Sequence, residues 1–373
     1  MSYFDYTANT PACEEALQRF CEVERRFIGN ANSNHKAGHA AKAFLAQVTY
    51  SVAKLLDVTP DEIIYTSGAS ESNNTAIHGI VQAKRHVGKH IVTNPLEHSS
   101  VSATLTALQE AGYEIEMVKI GTDGKIDLED LKSLLRKDTV LVTVNAVDSE
   151  LGTVQPLESI GKIVREYPNC SLHVDATQAI GKTPMNLNLA DTASIGAHKF
   201  YGLSGSGLLY KKSGIAMEPL IYGGASTTIY RSGTPTLALD ATLETALSLA
   251  TEHFEERYAR VKELRKNLQE NLCGYPKVRI NSPADAVPHI LNLSVAGVRG
   301  SVFQKALSDK GIYVSVKSAC SVDALPSRAV FAVSRDRKNA LNSWRISLSH
   351  LTSEKEIDEF MAAFDSCYKE LCK

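Results

Sequence analysis

Short apolar runs rich in β-branched residues recur through the first half of the chain, separated by stretches of helical periodicity. Glu62–Thr66, His90–Thr93, Ile115–Val118, Val140–Val144 and Ser171–Val174 read as strands, and Leu128–Leu135 carries apolar residues at helical spacing. This alternation, from about residue 40 to about residue 210, predicts βαβ units and a mainly parallel sheet. Leu208-Leu209-Tyr210, after Gly205-Ser206-Gly207, adds a further strand. From Leu239 to Leu272, apolar positions including Phe254, Tyr258, Val261, Leu264, Leu268 and Leu272 predict one long helix, with Glu256 and Arg260 as an i,i+4 pair. Past Gly274-Tyr275-Pro276 the pattern changes to shorter strands, such as Ile290–Val295, and a closing helix that Ser353 and Glu356 open with capping-box spacing. The expected fold is therefore α/β. A large domain over 14–250 holds the main sheet, flanked by helices, and a smaller α+β domain is built from 1–13 and 251–373.

At 373 residues the chain exceeds what a single core usually organises, which supports two domains. Lys+Arg 40 against Asp+Glu 42 leaves almost no net charge, which argues against nucleic acid or an anionic membrane as the main partner. No apolar run approaches a membrane span, and Met1–Tyr6 lacks the basic and apolar regions of a signal peptide. Seven cysteines without C-x-x-C spacing read as reduced thiols, with no disulfide frame and no metal site, so a cytoplasmic location is expected.

Two strand ends carry the chemistry. Asp175 ends the apolar run Ser171–Val174, and Lys199 follows the next short apolar stretch in Ser194-Ile195-Gly196-Ala197-His198-Lys199. A lysine can condense with the aldehyde of pyridoxal phosphate, and a carboxylate beside it can keep the pyridine nitrogen protonated so that the ring accepts electrons. Thr66–Ser72 follows a strand and opens a helix, where free N–H groups, with Ser70 as a hydroxyl donor, suit a phosphate. Gly202–Gly207 is spaced G-x-x-G-x-G and precedes a strand, so it fails the dinucleotide-binding fingerprint.

The chain resembles the cysteine desulfurase branch of the class V, fold-type I pyridoxal phosphate enzymes. The motifs run in family order: Gly29–Ser33, Thr66–Ser72, Glu97-His98, Glu150–Pro156, His173–Gln178, His198-Lys199, Arg231–Thr234, Ser318-Ala319-Cys320 and Trp344–Leu348. The resemblance implies that Lys199 anchors the cofactor and moves the substrate α-proton, that Asp175 pairs with the ring nitrogen, and that His98 stacks on the ring and relays protons. It also implies that Gln178 binds the phenolic oxygen, that Ala69, Ser70 and His198 hold the phosphate, and that Thr234 reaches the phosphate of the neighbouring subunit in a homodimer. Arg345, assisted by Asn30, would grip the carboxylate of L-cysteine, and Cys320 would take its sulfur as a persulfide for delivery to an acceptor protein. The sequence departs from the family at Ser149, where an Asn usually contacts the phenolic oxygen, at Gly196 for a phosphate-binding hydroxyl, at Ala31 for a Pro, and at Lys317 for a Gly. The alternatives are a related selenocysteine lyase or cysteine lyase, and a weakened sulfur-carrier or scaffold subunit.

Overall fold

The computed structural model describes residues 1–224, 226–317 and 325–372. The chain begins with a two-residue strand, β1 (Ser2–Tyr3), and helices α1 (Glu14–Arg26) and α2 (Lys36–Leu55). The alternating region follows as β2 (Ile63–Thr66), α3 (Ala69–Ala83), β3 (His90–Thr93), α4 (Ser99–Glu110), β4 (Glu114–Met117), α5 (Leu128–Leu134), β5 (Thr139–Asn145), α6 (Leu157–Val164), β6 (Ser171–Asp175), β7 (Thr192–Gly196) and β8 (Gly207–Lys211). Then come α7 (Leu237–Glu252), α8 (Phe254–Leu272), β9 (Val278–Ile280), β10 (Ile290–Val295), α9 (Gly300–Asp309), β11 (Ile312–Tyr313), α10 (Arg328–Ser334), α11 (Arg337–Asn342), β12 (Ser343–Ser347) and α12 (Glu354–Leu371).

The large sheet has the order β2-β8-β7-β6-β5-β3-β4, and its pairs are parallel except at β8, which runs antiparallel to both neighbours. Strands β5, β6, β7 and β8 are buried at every position, the first three as parallel strands covered by helices on both faces must be and β8 as an interior strand of the same sheet. That burial explains why they read as continuous apolar runs. β4 lies at the sheet edge, and its Glu114 and Glu116 keep that edge polar. The main core gathers Val142, Val144, Leu172, Val174, Ile195 and Leu208 from the strands with Ile160, Leu243 and Leu247 from the helices.

A second core forms around the three-stranded sheet β12-β10-β9, where Trp344, Phe303, Phe360 and Phe364 pack with Leu264, Leu268 and Phe4. Phe4 reaches it because β1 pairs in parallel with β11. The α12 capping box forms as expected, Ser353 Oγ accepting from Glu356 N–H and the Glu356 carboxylate accepting from Ser353 N–H.

One expectation needs correction. The single helix expected over Leu239–Leu272 is two helices that meet at His253, whose φ of −99° and ψ of 14° break the helical path. The apolar periodicity runs across the break because each half faces a different core: Leu243 and Leu247 the first, Val261, Leu264 and Leu268 the second.

Candidate active site

Parallel strands deliver their carboxyl ends to one edge of the sheet, where open α/β folds place their sites. Asp175 is the last residue of β6, and Lys199 lies three residues past the end of β7, in a single 3-10 turn. Residues 67–70 follow β2, His98 caps α4 after β3, and Asn145 ends β5. All of these line one cavity of about 380 Å3, with Thr7, Ala8, Ser149, Gln178, His198 and Arg345 completing its wall. The helix N-terminus of α3 can approach because Gly68 (φ 147°) makes the turn and Gly207 of β8 passes it closely. A Cβ on Gly207 would come within 2.6 Å of the Gly68 Cα.

Hydrogen bonds fix each functional side chain. Lys199 Nζ donates to the Thr7 and Ala8 carbonyls at 2.7 and 2.6 Å. Asp175 Oδ1 accepts from Thr177 N–H at 3.0 Å, and its Oδ2 accepts from Asn73 Nδ2 at 2.9 Å. His98 Nδ1 accepts the Ser100 N–H at 3.2 Å, which places the proton of the neutral ring on Nε2. Gln178 is held at both ends, its Nε2 donating to the Thr7 carbonyl and its Oε1 accepting from Lys182 Nζ at 2.7 Å. Arg345 is 1% exposed; its Nη2 pairs with Asp5 Oδ1 at 2.7 Å, its Nη1 donates to the Ser149 carbonyl at 2.8 Å, and its Nε is buried without a partner.

Burial is the main influence on the ionisable groups here, with neighbouring charges second. Burial drives the Lys182 ammonium well below the usual lysine range, helped by Lys199 and Arg345. Burial, then Lys199 and Lys182, push His198 down to about 4. Burial also lowers His98, with Asp175 opposing it and Lys199 and Arg328 adding to it. Beside His98, burial holds the Glu97 carboxyl well above the carboxylate range and brings Asp148 up to about 7.

Ten of the twelve site residues expected from sequence fall into two groups. Ala69, Ser70, His98, Ser149, Asp175, Gln178, His198, Lys199 and Arg345 share the cavity, whereas Cys320 lies with the rest of 318–324 outside the described residues. The flanks Lys317 and Leu325 line an adjoining cavity of about 250 Å3 together with His98 and Ser149. The remaining two, Asn30 and Thr234, are exposed and away from the cavity wall; Asn30 Oδ1 accepts from Asn32 N–H. Four site residues were not read from the sequence: Asp5, Thr7, Asn73 and Lys182. Only Lys182 left a signal, standing one helical turn after Gln178 in sequence.

The aminotransferase class-V family model matches residues 2–360. A NifS/IcsS protein homolog from Lactobacillus delbrueckii subsp. bulgaricus is 39% identical over 379 residues, covering 100% of this chain and 98% of its own length. The cysteine desulfurase IscS of Dictyoglomus turgidum is 33% identical, with 99% of this chain and 95% of its own length covered. Among solved structures, a NifS-like protein superposes with a TM-score of 0.93 at 34% identity over 100% of both chains. Another, titled SspA in complex with cysteine, gives 0.83 at 28% identity over 95% of this chain and 100% of its own. The chain belongs to the class-V aminotransferase family and, within it, to the NifS/IscS-like cysteine desulfurases.

Proposed function

We propose that this chain is a pyridoxal phosphate-dependent cysteine desulfurase that converts L-cysteine to L-alanine, takes the sulfur onto Cys320 as a persulfide, and passes it to an acceptor protein. The observation that carries this reading is the pairing of Asp175 and Lys199 at adjacent strand ends, in one cavity with His98 and Arg345. The residues fit the cofactor. The α3 N-terminus with Ser70 and His198 suits a phosphate, Lys199 an aldehyde and Asp175 a ring nitrogen, and buried Thr177 Oγ1 and Arg345 Nε await partners in the same wall.

Pyridoxal phosphate, when bound, supplies an electron sink for the pair left on the substrate Cα. The side chains account for the rest. Lys199, held by the Thr7 and Ala8 carbonyls, is placed to take the α-proton once substrate displaces it. His98, neutral and protonated on Nε2 and lining the same cavity, can give a proton from that nitrogen. Gln178, oriented by Lys182, offers its amide N–H to the phenolic oxygen, and Ser149 lines the same cavity. Arg345 binds the substrate carboxylate, in competition with Asp5. The Cys320 thiolate then bonds to the substrate sulfur, the C–S bond breaks, and the carbon takes up a proton to leave alanine. Thr234 would serve the partner subunit's phosphate in a homodimer. Among the described residues no helix is long and apolar enough to cross a membrane, and a cytoplasmic location fits this chemistry.

The test is to load the purified chain with pyridoxal phosphate and supply L-cysteine with a reductant. Alanine and sulfide should appear in equal amounts. A chain that binds the cofactor yet makes no alanine would refute the reading.

A further inference from the structure

Asn73 lies on α3, fully buried, one turn beyond Ala69, and joins two parts of the site that are far apart in sequence. Its Nδ2 donates to Asp175 Oδ2 and to Ser100 Oγ, both at 2.9 Å. With both amide protons committed, Oδ1 is the acceptor for His173 Nε2 at 3.0 Å, so His173 carries its proton there and takes the Thr192 hydroxyl at Nδ1. Ser100 continues the chain toward His98. Its Oγ lies 2.9 Å from His98 Nδ1, the nitrogen that already faces the Ser100 N–H. The hydroxyl proton therefore points to Nδ1, while its oxygen accepts from Asn73.

We propose that Asn73 is a positioning residue that links Asp175 to His98 through Ser100, holding His98 as the neutral ring with its proton on Nε2. An N–H donated to Ser100 Oγ polarises its O–H and strengthens the bond to the Nδ1 lone pair, which opposes protonation of that nitrogen. The charged groups facing His98 are Asp175, which favours the imidazolium, and Lys199 and Arg328, which oppose it. Glu97, its chain neighbour, is buried, and burial holds its carboxyl well above the usual carboxylate range. Asn73 adds a directional bias that these charges lack. The bearing on catalysis rests on the desulfurase reading, but the linkage itself does not.

The test follows the His98 ring by nitrogen NMR in the full-length chain freed of cofactor, its signal assigned by loss in His98→Gln. Asn73→Leu removes both donors at nearly equal volume, and Ser100→Ala removes the relay while leaving the backbone N–H in place. Each should raise the His98 titration midpoint by about half to one pH unit. The double variant should rise no further than either single one, because both act on one path. Additive shifts, or no shift in Ser100→Ala, would overturn the proposal. Should Asn73→Leu fail to fold, Asn73→Ala, which also removes both donors, takes its place in the same cycle. Pyridoxal phosphate binding by the unaltered chain is measured in parallel; its failure would sink the desulfurase reading and leave the titration result standing.

Discussion

Lys199 Nζ rests on two carbonyls of the N-terminal strap, and Asp175 accepts two N–H donors, so both groups are placed before any cofactor arrives. Lys199→Ala should lose the borohydride-reducible link to pyridoxal phosphate, and a link that persists would show that another amine holds the cofactor. Asp175→Ala should retain partial binding through Lys199 and lose most turnover, as the electron sink depends on the protonated ring. Arg345→Ala should weaken L-cysteine binding by roughly 2–4 kcal/mol, because it removes a charged fork from a buried wall. An unchanged apparent affinity would exclude Arg345 as the clamp. Asp175 and Lys199 were legible in the sequence because a strand end is a local signal, and the residue that ends it must face the sheet edge. Asp5, Thr7, Asn73 and Lys182 were not, because their roles depend on which elements the fold brings together. Asp5 and Arg345 are 340 positions apart.

At the scale of elements, the approach of α3 to β8 builds the end of the cavity proposed to hold the phosphate, and it depends on Gly207 lying against Gly68. Gly207→Ala puts a methyl group against backbone that cannot retreat, which should cost about 1–3 kcal/mol and weaken cofactor binding. Unaltered stability and binding, read by urea denaturation and cofactor titration, would contradict that. His173 on β6 is a second device of this kind, fully buried with its proton committed to Asn73, and burial brings it down to about 4. Folded, it stays neutral where the unfolded chain takes up a proton, so its contribution is intact above pH 6.5 and is lost as pH falls toward 4. The loss should be of order 2–3 kcal/mol over that window, and His173→Asn should flatten it. Equal pH slopes for the two proteins would show that His173 does not cause the acid loss of stability. The strands bounded in the sequence were readable to within about one residue at each end, since Ile, Val and Leu runs buried on both faces stand out between polar turns. The two- and three-residue strands β1, β9 and β11 were not named. The break at His253 was not, since two amphipathic helices facing different cores can continue one apolar rhythm.

Across the whole molecule, the N-terminal strap ties the two cores together: Phe4 packs in the second, while the carbonyls of Thr7 and Ala8 reach Lys199 beside the first. Asp5 and Ser149 likewise hold Arg345 of β12 against the loop after β5. The cavity is thus closed by parts of both. Thr234, exposed on this chain, is proposed to complete the phosphate site of a second copy. The solution mass should therefore be about twice the 40.5 kDa of one chain, and dilution to monomer should release the cofactor. A fully active monomer would contradict this. The sequence pointed to the dimer only through resemblance, because an interface between copies leaves no periodic trace in one chain. The proposed chemistry turns on sulfur leaving L-cysteine for Cys320. Mass spectrometry of the holoenzyme after brief exposure to L-cysteine, without reductant, tests it most directly. One extra sulfur should map to the peptide bearing Cys320, and Cys320→Ala should bind L-cysteine yet carry no added sulfur. Sulfur found on Cys13, Cys21, Cys170, Cys273, Cys367 or Cys372 instead, or alanine formed at the full rate by Cys320→Ala, would contradict it.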